Sequence, residues 1–419
     1  MLIKFEVEDF KLFDTLSFSM KANNRLKHLK ENIVEARQVN ALKTAVIFGP
    51  NNSGKSTFID AIRLMKSIVL ENELEGAAIL PSFAKGDPVF TIKFAITFLI
   101  EENIFEYGMT ISLAGEQKNT FKDEYLKSNN KLMFEQVNNK ISVSDDNRAG
   151  MDILRVFADI FKAGHTLFLP FVCDSNNDDL GDILKVHEHF KKIKIIDADY
   201  NNNAEKSIKL LEDSETKFVN DLVKHGDLSL SEIEFNRETF DRIDVMDDSD
   251  LDAEFMKKMC LQSVHSYGSY KTKFPFILTE SLGTLRLFSL AGEIYSAIKN
   301  DEILIIDEID NSFHTILTRN IFNMFNMYDG TRGQLIATTH DILLLENKFL
   351  FRRDQIWFTQ KNDGKGYLYS LNEFSSKEKS TGVRSGKSSI LSKYLDGYFG
   401  ALPNIDIISV IDALEREGD

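Results

Sequence analysis

A run of residues early in the chain has the types and spacing that hold a polyphosphate. Gly49, Pro50, Asn51, Asn52, Ser53, Gly54, Lys55 and Ser56 fit the pattern G-x-x-x-x-G-K-[ST], and Thr57 carries the chain into an apolar-periodic stretch. The chemistry needs this composition. Backbone N–H groups must turn inward around phosphate oxygens, which the glycines permit, and the helix that follows adds the positive end of its dipole. Lys55 is then placed for the β- and γ-phosphates and Ser56 for Mg2+. A second set lies far downstream, where the apolar run Ile303-Leu304-Ile305-Ile306 ends in Asp307 and Glu308. Asp307 is expected to hold Mg2+ through water and Glu308 to polarise a water for in-line attack on a γ-phosphate. His340 follows a further apolar run, QLIATT, and is positioned to contact that phosphate; Asp310 stands on the loop between.

A third set raises a question of economy. In ESLGTLRLFSLAGEI, Ser281 is a good N-cap and Gly283 leaves the first helical turn open to close approach. Leu287, Leu290, Ala291, Ile294 and Ile298 recur at helical spacing and anchor the other face. A loop such as Gly49–Thr57 already surrounds its own nucleotide. The open helix start is therefore expected to cap the γ-phosphate held by a second copy of the chain, so that the protein works as a homodimer or higher homo-oligomer.

Several look-alikes lack their context. RSGKSS, from Arg384, has Thr381 where a phosphate loop needs glycine, and no apolar strand precedes it. It reads as a basic loop and helix start. Asp244, Asp247, Asp248, Asp250 and Asp252 read as a solvated connection, because no strand holds them as metal ligands. Cys173 and Cys260 are far apart in no metal-like spacing and read as buried thiols. The guanine-reading pattern Asn-Lys-x-Asp is absent, since Asn347-Lys348-Phe349-Leu350 lacks the acid, which points to ATP.

The elements that must position these groups follow from periodicity. Ala45 to Gly49 is a buried strand feeding the loop, and STFIDAIRLMKSIVL is the helix after it. Leu2 to Met20 reads as two strands, and the alternation in FTIKFAITF, EYGMTIS and KLMFEQV predicts an antiparallel meander. Met151 to Lys224 is mainly helical with a short strand near Lys192 to Asp197. A strand is expected at Phe274 to Leu278, a helix from Phe313, and strands at QIWFTQ and GYLYSL. The expected divisions are 1–150, an N-terminal lobe with the phosphate loop and meander; 151–262, a mainly helical insertion; 263–375, a lobe with the Ser281 helix, the carboxylate strand and His340; and 376–419, a basic extension.

The 419 residues are 43% hydrophobic, enough for a sizeable core, and the formal net charge is −15. That excludes a generally basic surface coating nucleic acid, though Lys377, Lys379, Arg384, Lys387 and Lys393 leave room for a local basic patch. No apolar run reaches the roughly 20 residues that span a bilayer. A cytoplasmic protein without membrane contact is expected.

Phosphate loop, long insertion, Ser-x-Gly helix, apolar strand with Asp-Glu, Asp loop and His in this order resemble the ABC-type ATPase heads of the SMC and RecF class. The resemblance implies an α/β P-loop NTPase of ABC-ATPase head type, a mixed sheet with an antiparallel β subdomain and a helical lobe, using ATP and Mg2+. It places Ser281 and Gly283 in the signature position, Asp310 in the D-loop and His340 in the switch position. GTLRLF, IIDEIDNSFHTILTR, QLIATTHD, RRDQIWF and YLDGYFGALP are similar to small bacterial AAA-type ATPases of anti-phage and abortive-infection systems, including OLD, PARIS and Septu-type relatives. This implies a sensor or regulator ATPase whose effector, a toxin or nuclease, is a separate protein. The alternative is a repair ATPase of RecF type that binds DNA directly. The match departs in three places: the insertion is too short for a coiled-coil arm, ESLGT differs from the transporter signature, and no glutamine suits the Mg2+-sensing position, Gln136 lying inside a strand pattern. Roughly 80 residues follow His340, too few for a nuclease domain of ordinary size.

Overall fold

A computed structural model describes residues 1–72, 91–113, 119–145, 150–162, 164–175, 177–198, 204–213, 216–226, 230–237, 257–376 and 389–402. The acidic run from Asp244 to Asp252, and Lys377, Lys379, Arg384 and Lys387 with the RSGKSS look-alike, lie outside these residues except for Ser389.

Two large sheets face the same helix. The first has seven antiparallel strands in the spatial order Lys140–Val143, Lys131–Val137, Thr120–Ser128, Asn103–Ser112, Thr91–Ile100, Leu2–Phe10 and Phe13–Ser19. Its alternation is the expected one. Phe5 and Val7, paired with Ile96 and Phe94, point into one core, while Glu6, Glu8 and Lys93 stay outside. The second sheet has six strands in the order Ile193–Ile196, Ile303–Ile306, Gln334–Thr339, Thr44–Phe48, Ile356–Asn362 and Lys365–Ser370. The first five run parallel and the last closes an antiparallel hairpin.

The central strands are continuous apolar runs because both their faces are covered. Ala45, Ile47, Ile303, Ile305 and Ile336 enter a core shared with the seven-stranded sheet and with Phe58, Ile62 and Met65 of the Lys55–Glu71 helix. Val46, Phe48, Leu304, Ile306, Leu335 and Ala337 point the other way, into a second core with the helices Leu282–Lys299 and Thr315–Met327. Gln334 ties the sheets together: its Nε2 donates to the carbonyls of Leu2 and Leu42 at 3.0 and 2.8 Å.

A small sheet of Leu230–Phe235, Leu261–Tyr267 and Tyr270–Pro275 precedes the Ser281 helix. Here the expected strand Phe274 to Leu278 differs from the structure. The strand stops at Pro275, which has no N–H for a ladder, and Phe276–Thr279 makes one helical turn that redirects the chain to Ser281. The expected helix from Phe313 begins at Thr315, capped by the His314 side chain. Among the described residues no helix is long and apolar enough to cross a membrane.

Candidate functional site

The Thr44–Phe48 strand ends at the carboxyl edge of the parallel sheet, and the glycine loop folds back over that edge. Asn52 and Gly54 have φ of 59° and 114°, the left-handed turns that start the Lys55–Glu71 helix. Two glycines are required by their neighbours. A Cβ on Gly49 would stand 2.1 Å from Thr359 Oγ1, and one on Gly54 would stand 2.7 Å from Phe13 Cζ. Ser53 closes the loop from within, its Oγ donating to the Pro50 carbonyl at 2.7 Å and meeting Thr359 Oγ1. Lys55 is only 5% exposed, and its ammonium donates to the carbonyls of Gly49 and Pro50 at 2.9 and 3.1 Å. Burial holds its pKa below the usual lysine value, against the pull of Asp307, Glu308 and Asp310.

The parallel neighbours bring the downstream groups to the same edge. Ser56 Oγ donates to Asp307 Oδ2 at 2.9 Å, and Thr338 Oγ1 donates to Asp307 Oδ1. Glu308 has φ of 49°, a left-handed conformation that costs a non-glycine residue about 1–2 kcal/mol. Its N–H donates to Thr338 Oγ1 at 2.8 Å, and its carbonyl accepts from Arg286 Nη2 at 2.9 Å and from the Asn311 N–H at 3.0 Å. Its carboxylate reaches within 3.7 Å of His340 Nε2. The backbone N–H of His340 in turn donates to the Asp310 carboxylate at 3.2 Å. Lys55, Ser56, Asp307, Glu308, Asp310 and His340 therefore converge. Pro50, Asn51, Asn52 and His340 line a cleft of about 820 Å3 whose far wall includes Gln360, Leu395 and Leu402.

Ser281 and Gly283 are not part of that convergence. Ser281 caps the Leu282–Lys299 helix, its Oγ accepting from the Thr284 N–H at 3.1 Å. A Cβ on Gly283 would stand 2.9 Å from the Ser312 carbonyl, so the helix tip lies against the loop that follows Asp310. Among the described residues, no hydrogen bond joins Ser281 to the phosphate loop. Thr57 sits in the first turn of its helix, half-buried. Gln136 is buried in the Lys131–Val137 strand of the other sheet.

Sequence reasoning missed three residues. Thr338 bonds both Asp307 and Glu308, and its only cue is a hydroxyl near the end of an apolar strand. Arg286 interrupts the apolar face of its helix, which was a usable signal. Thr359 backs Gly49 and Ser53 from a strand whose position no local pattern gives.

The donors fit Mg2+. A hydroxyl and a carboxylate oxygen from two elements meet beside a lysine, and Mg2+ takes few protein ligands beside substrate phosphates and water. Among the described residues there is no group of three or more His, Cys, Asp or Glu that could hold a metal ion.

No curated protein matches the sequence. Among solved structures, the SMC head domain from Thermotoga maritima is similar at 14% identity, covering 88% of this chain and 98% of that one, with a TM-score of 0.40. An SMC head bound to the C-terminal winged-helix domain of ScpA is similar at 13% identity, 88% and 97% coverage and a TM-score of 0.44. The Smc head with an extended coiled coil, bound to the C-terminal domain of ScpA derived from Pyrococcus furiosus, has 12% identity, 90% and 98% coverage and a TM-score of 0.41. Residues 45–346, from the phosphate-loop strand to just past His340, match the family described as "AAA domain, putative AbiEii toxin, Type IV TA system", and the chain belongs to that family.

Proposed function

We propose that the chain is an ATPase that closes as a homodimer around ATP and Mg2+ and serves as the sensor or regulator of a bacterial anti-phage, abortive-infection system. In this reading it acts in the cytoplasm with a separate effector protein. The observation that carries the reading is the split between the two anion sites. Lys55, Ser56, Asp307, Glu308 and His340 converge within one chain, whereas the Ser281 tip stays outside, against the Asp310–Ser312 loop. The family's description, "AAA domain, putative AbiEii toxin, Type IV TA system", supports the defence setting.

The residues divide the work as follows. Lys55 exchanges its loop carbonyls for β- and γ-phosphate oxygens, and the loop N–H groups from Asn51 to Ser56 bind the rest. Ser56 and Asp307 would hold Mg2+, which would supply positive charge to offset that of the phosphates. Glu308 orients the attacking water and accepts its proton, held in place by Thr338 and Arg286. His340 contacts the γ-phosphate beside Glu308 and loses that partner on hydrolysis, and Asp310 fixes the His340 backbone. Ser281 and Gly283 of a second copy cap the same phosphate.

The test is phosphate release by the purified chain with ATP and Mg2+, with sedimentation of Glu308→Gln in ATP. Hydrolysis by the wild type and a dimer of the variant are expected. Co-purification with the product of the neighbouring gene supports the defence role, whereas ATP-dependent retention on DNA without a second protein favours the repair reading.

A further inference from the structure

Arg286 is 2% exposed and sits in the second turn of the Leu282–Lys299 helix, a little beyond Ser281. A guanidinium inside a core helix is costly, and an apolar side chain would suit that helix better for stability alone. Its contacts show what it gives in return. Nη2 donates to the backbone carbonyl of Glu308 at 2.9 Å, and the cation lies 5.5 Å from the centroid of the Phe313 ring, on the loop after Asp310. Gly283, in the same helix, abuts the Ser312 carbonyl.

The backbone of Glu308 is held at both ends. Its N–H is tied to Thr338 and its carbonyl to Arg286 and Asn311, around a left-handed Cα. Those bonds fix the two peptide planes flanking the Cα, and so the direction in which the carboxylate leaves the chain. The Thr338 bond comes from the neighbouring strand and the Asn311 bond from the same turn. The Arg286 bond alone comes from the helix whose tip carries Ser281.

We propose that Arg286 is a positioning residue for Glu308, and that it couples the Ser281 tip to the general base of the same chain. The proposal rests on the ATPase reading and adds a direction of communication to it. An anion seated at the tip of one protomer's helix is felt, through Arg286, at that protomer's own Glu308. In a closed pair, each site's occupancy then sets the turnover of the other.

The experiment compares wild type, Arg286→Met, Arg286→Lys and Phe313→Leu for kcat, ATP affinity and the Hill coefficient of turnover, with melting temperature alongside. Arg286→Met is expected to lower kcat by about 10²-fold while ATP affinity holds, because the base is misplaced and the phosphate loop is untouched. Lys at 286 recovers part of the rate, since it keeps the charge without the planar fork. Phe313→Leu keeps the arginine and is expected to lose roughly tenfold in kcat, so it carries the test where Arg286→Met does not fold. Cooperativity in ATP is expected to fall with kcat in each variant. Wild-type turnover in both Arg286→Lys and Phe313→Leu overturns the proposal and leaves the ATPase reading standing. So does a loss of ATP affinity and melting temperature in step with kcat, which marks a purely structural arginine. If the wild type itself releases no phosphate, the ATPase reading falls and takes the proposal with it.

Discussion

The phosphate-loop mouth and the Ser281 tip, the two proposed anion sites, have their polar groups satisfied in different ways. At the mouth, side chains from distant parts of the chain bond one another: Lys55 to its own loop, Ser56 to Asp307, Thr338 to Asp307 and Glu308. At the tip, among the described residues, Ser281 bonds only the start of its own helix, and leucines on either side of it, Leu278 and Leu282, are 70% and 66% exposed. The mouth has its partners built in, while the tip presents apolar surface beside an open helix end. The difference teaches that the two regions are not built alike: the mouth is tied together from distant parts of the chain, whereas the tip is tied only locally among the described residues.

Three substitutions break this contrast, and they fall in order of expected effect. Lys55→Ala should abolish turnover, because ATP binding weakens by about 10²-fold once the phosphates lose their cation; calorimetry with ATP reads it, and unchanged affinity would refute it. Glu308→Gln should bind ATP normally and hydrolyse it about 10³-fold more slowly, accumulating as a dimer. A variant that sediments in ATP as the wild type does would count against the paired-site reading. Ser281→Arg should leave the first binding event intact and cost about 10²-fold in turnover, as loss of a transition-state donor does. Full hydrolysis in that variant would remove the tip from the site.

A smaller effect tests the sheet that backs the mouth. Glu124 lies buried in the Thr120–Ser128 strand, accepting from Tyr107 Oη at 2.8 Å and from the N–H groups of Phe168 and Leu169. Burial, opposed by those donors, pushes its pKa from 4.5 up to about 7. The folded chain thus keeps this proton up to about pH 7, whereas the unfolded chain releases it near 4.5. The sign follows: its stabilising contribution is full below 4.5 and is lost as pH rises through 7. Melting temperature should fall by a few degrees between pH 5 and pH 8, and Glu124→Gln should flatten that fall. An unchanged slope in the variant would assign the dependence elsewhere.

How much of this was legible depended on whether a signal was local. The loop Gly49–Thr57, the run ending in Asp307 and Glu308, and the strand before His340 each carry their pattern in a few consecutive residues. Burial on both faces of the parallel strands made those runs continuous, so the elements could be read. Thr338 and Thr359 were invisible for the opposite reason: each acts across strands whose neighbours are set by the order of the sheet. The helical turn at Phe276–Thr279 was misread because its apolar residues suit a strand equally well, and Pro275 was the only mark of the change. Arg286 was written in plain view, in GTLRLF, but its use depends on where the Glu308 carbonyl points.

The place of the Thr44–Phe48 strand has a consequence for how the molecule comes into being. Its two neighbours are Gln334–Thr339 on one side and the start of Ile356–Asn362 on the other. During synthesis the glycine loop therefore emerges long before either flanking strand, and before Thr359 exists to support it. Such distant pairings are slow to form. A nascent chain that has not reached Gln334 lacks both flanking strands, and one that has not reached Thr359 lacks the hydroxyl that backs Ser53. The last support of the loop thus arrives with Thr359, 306 residues after Ser53.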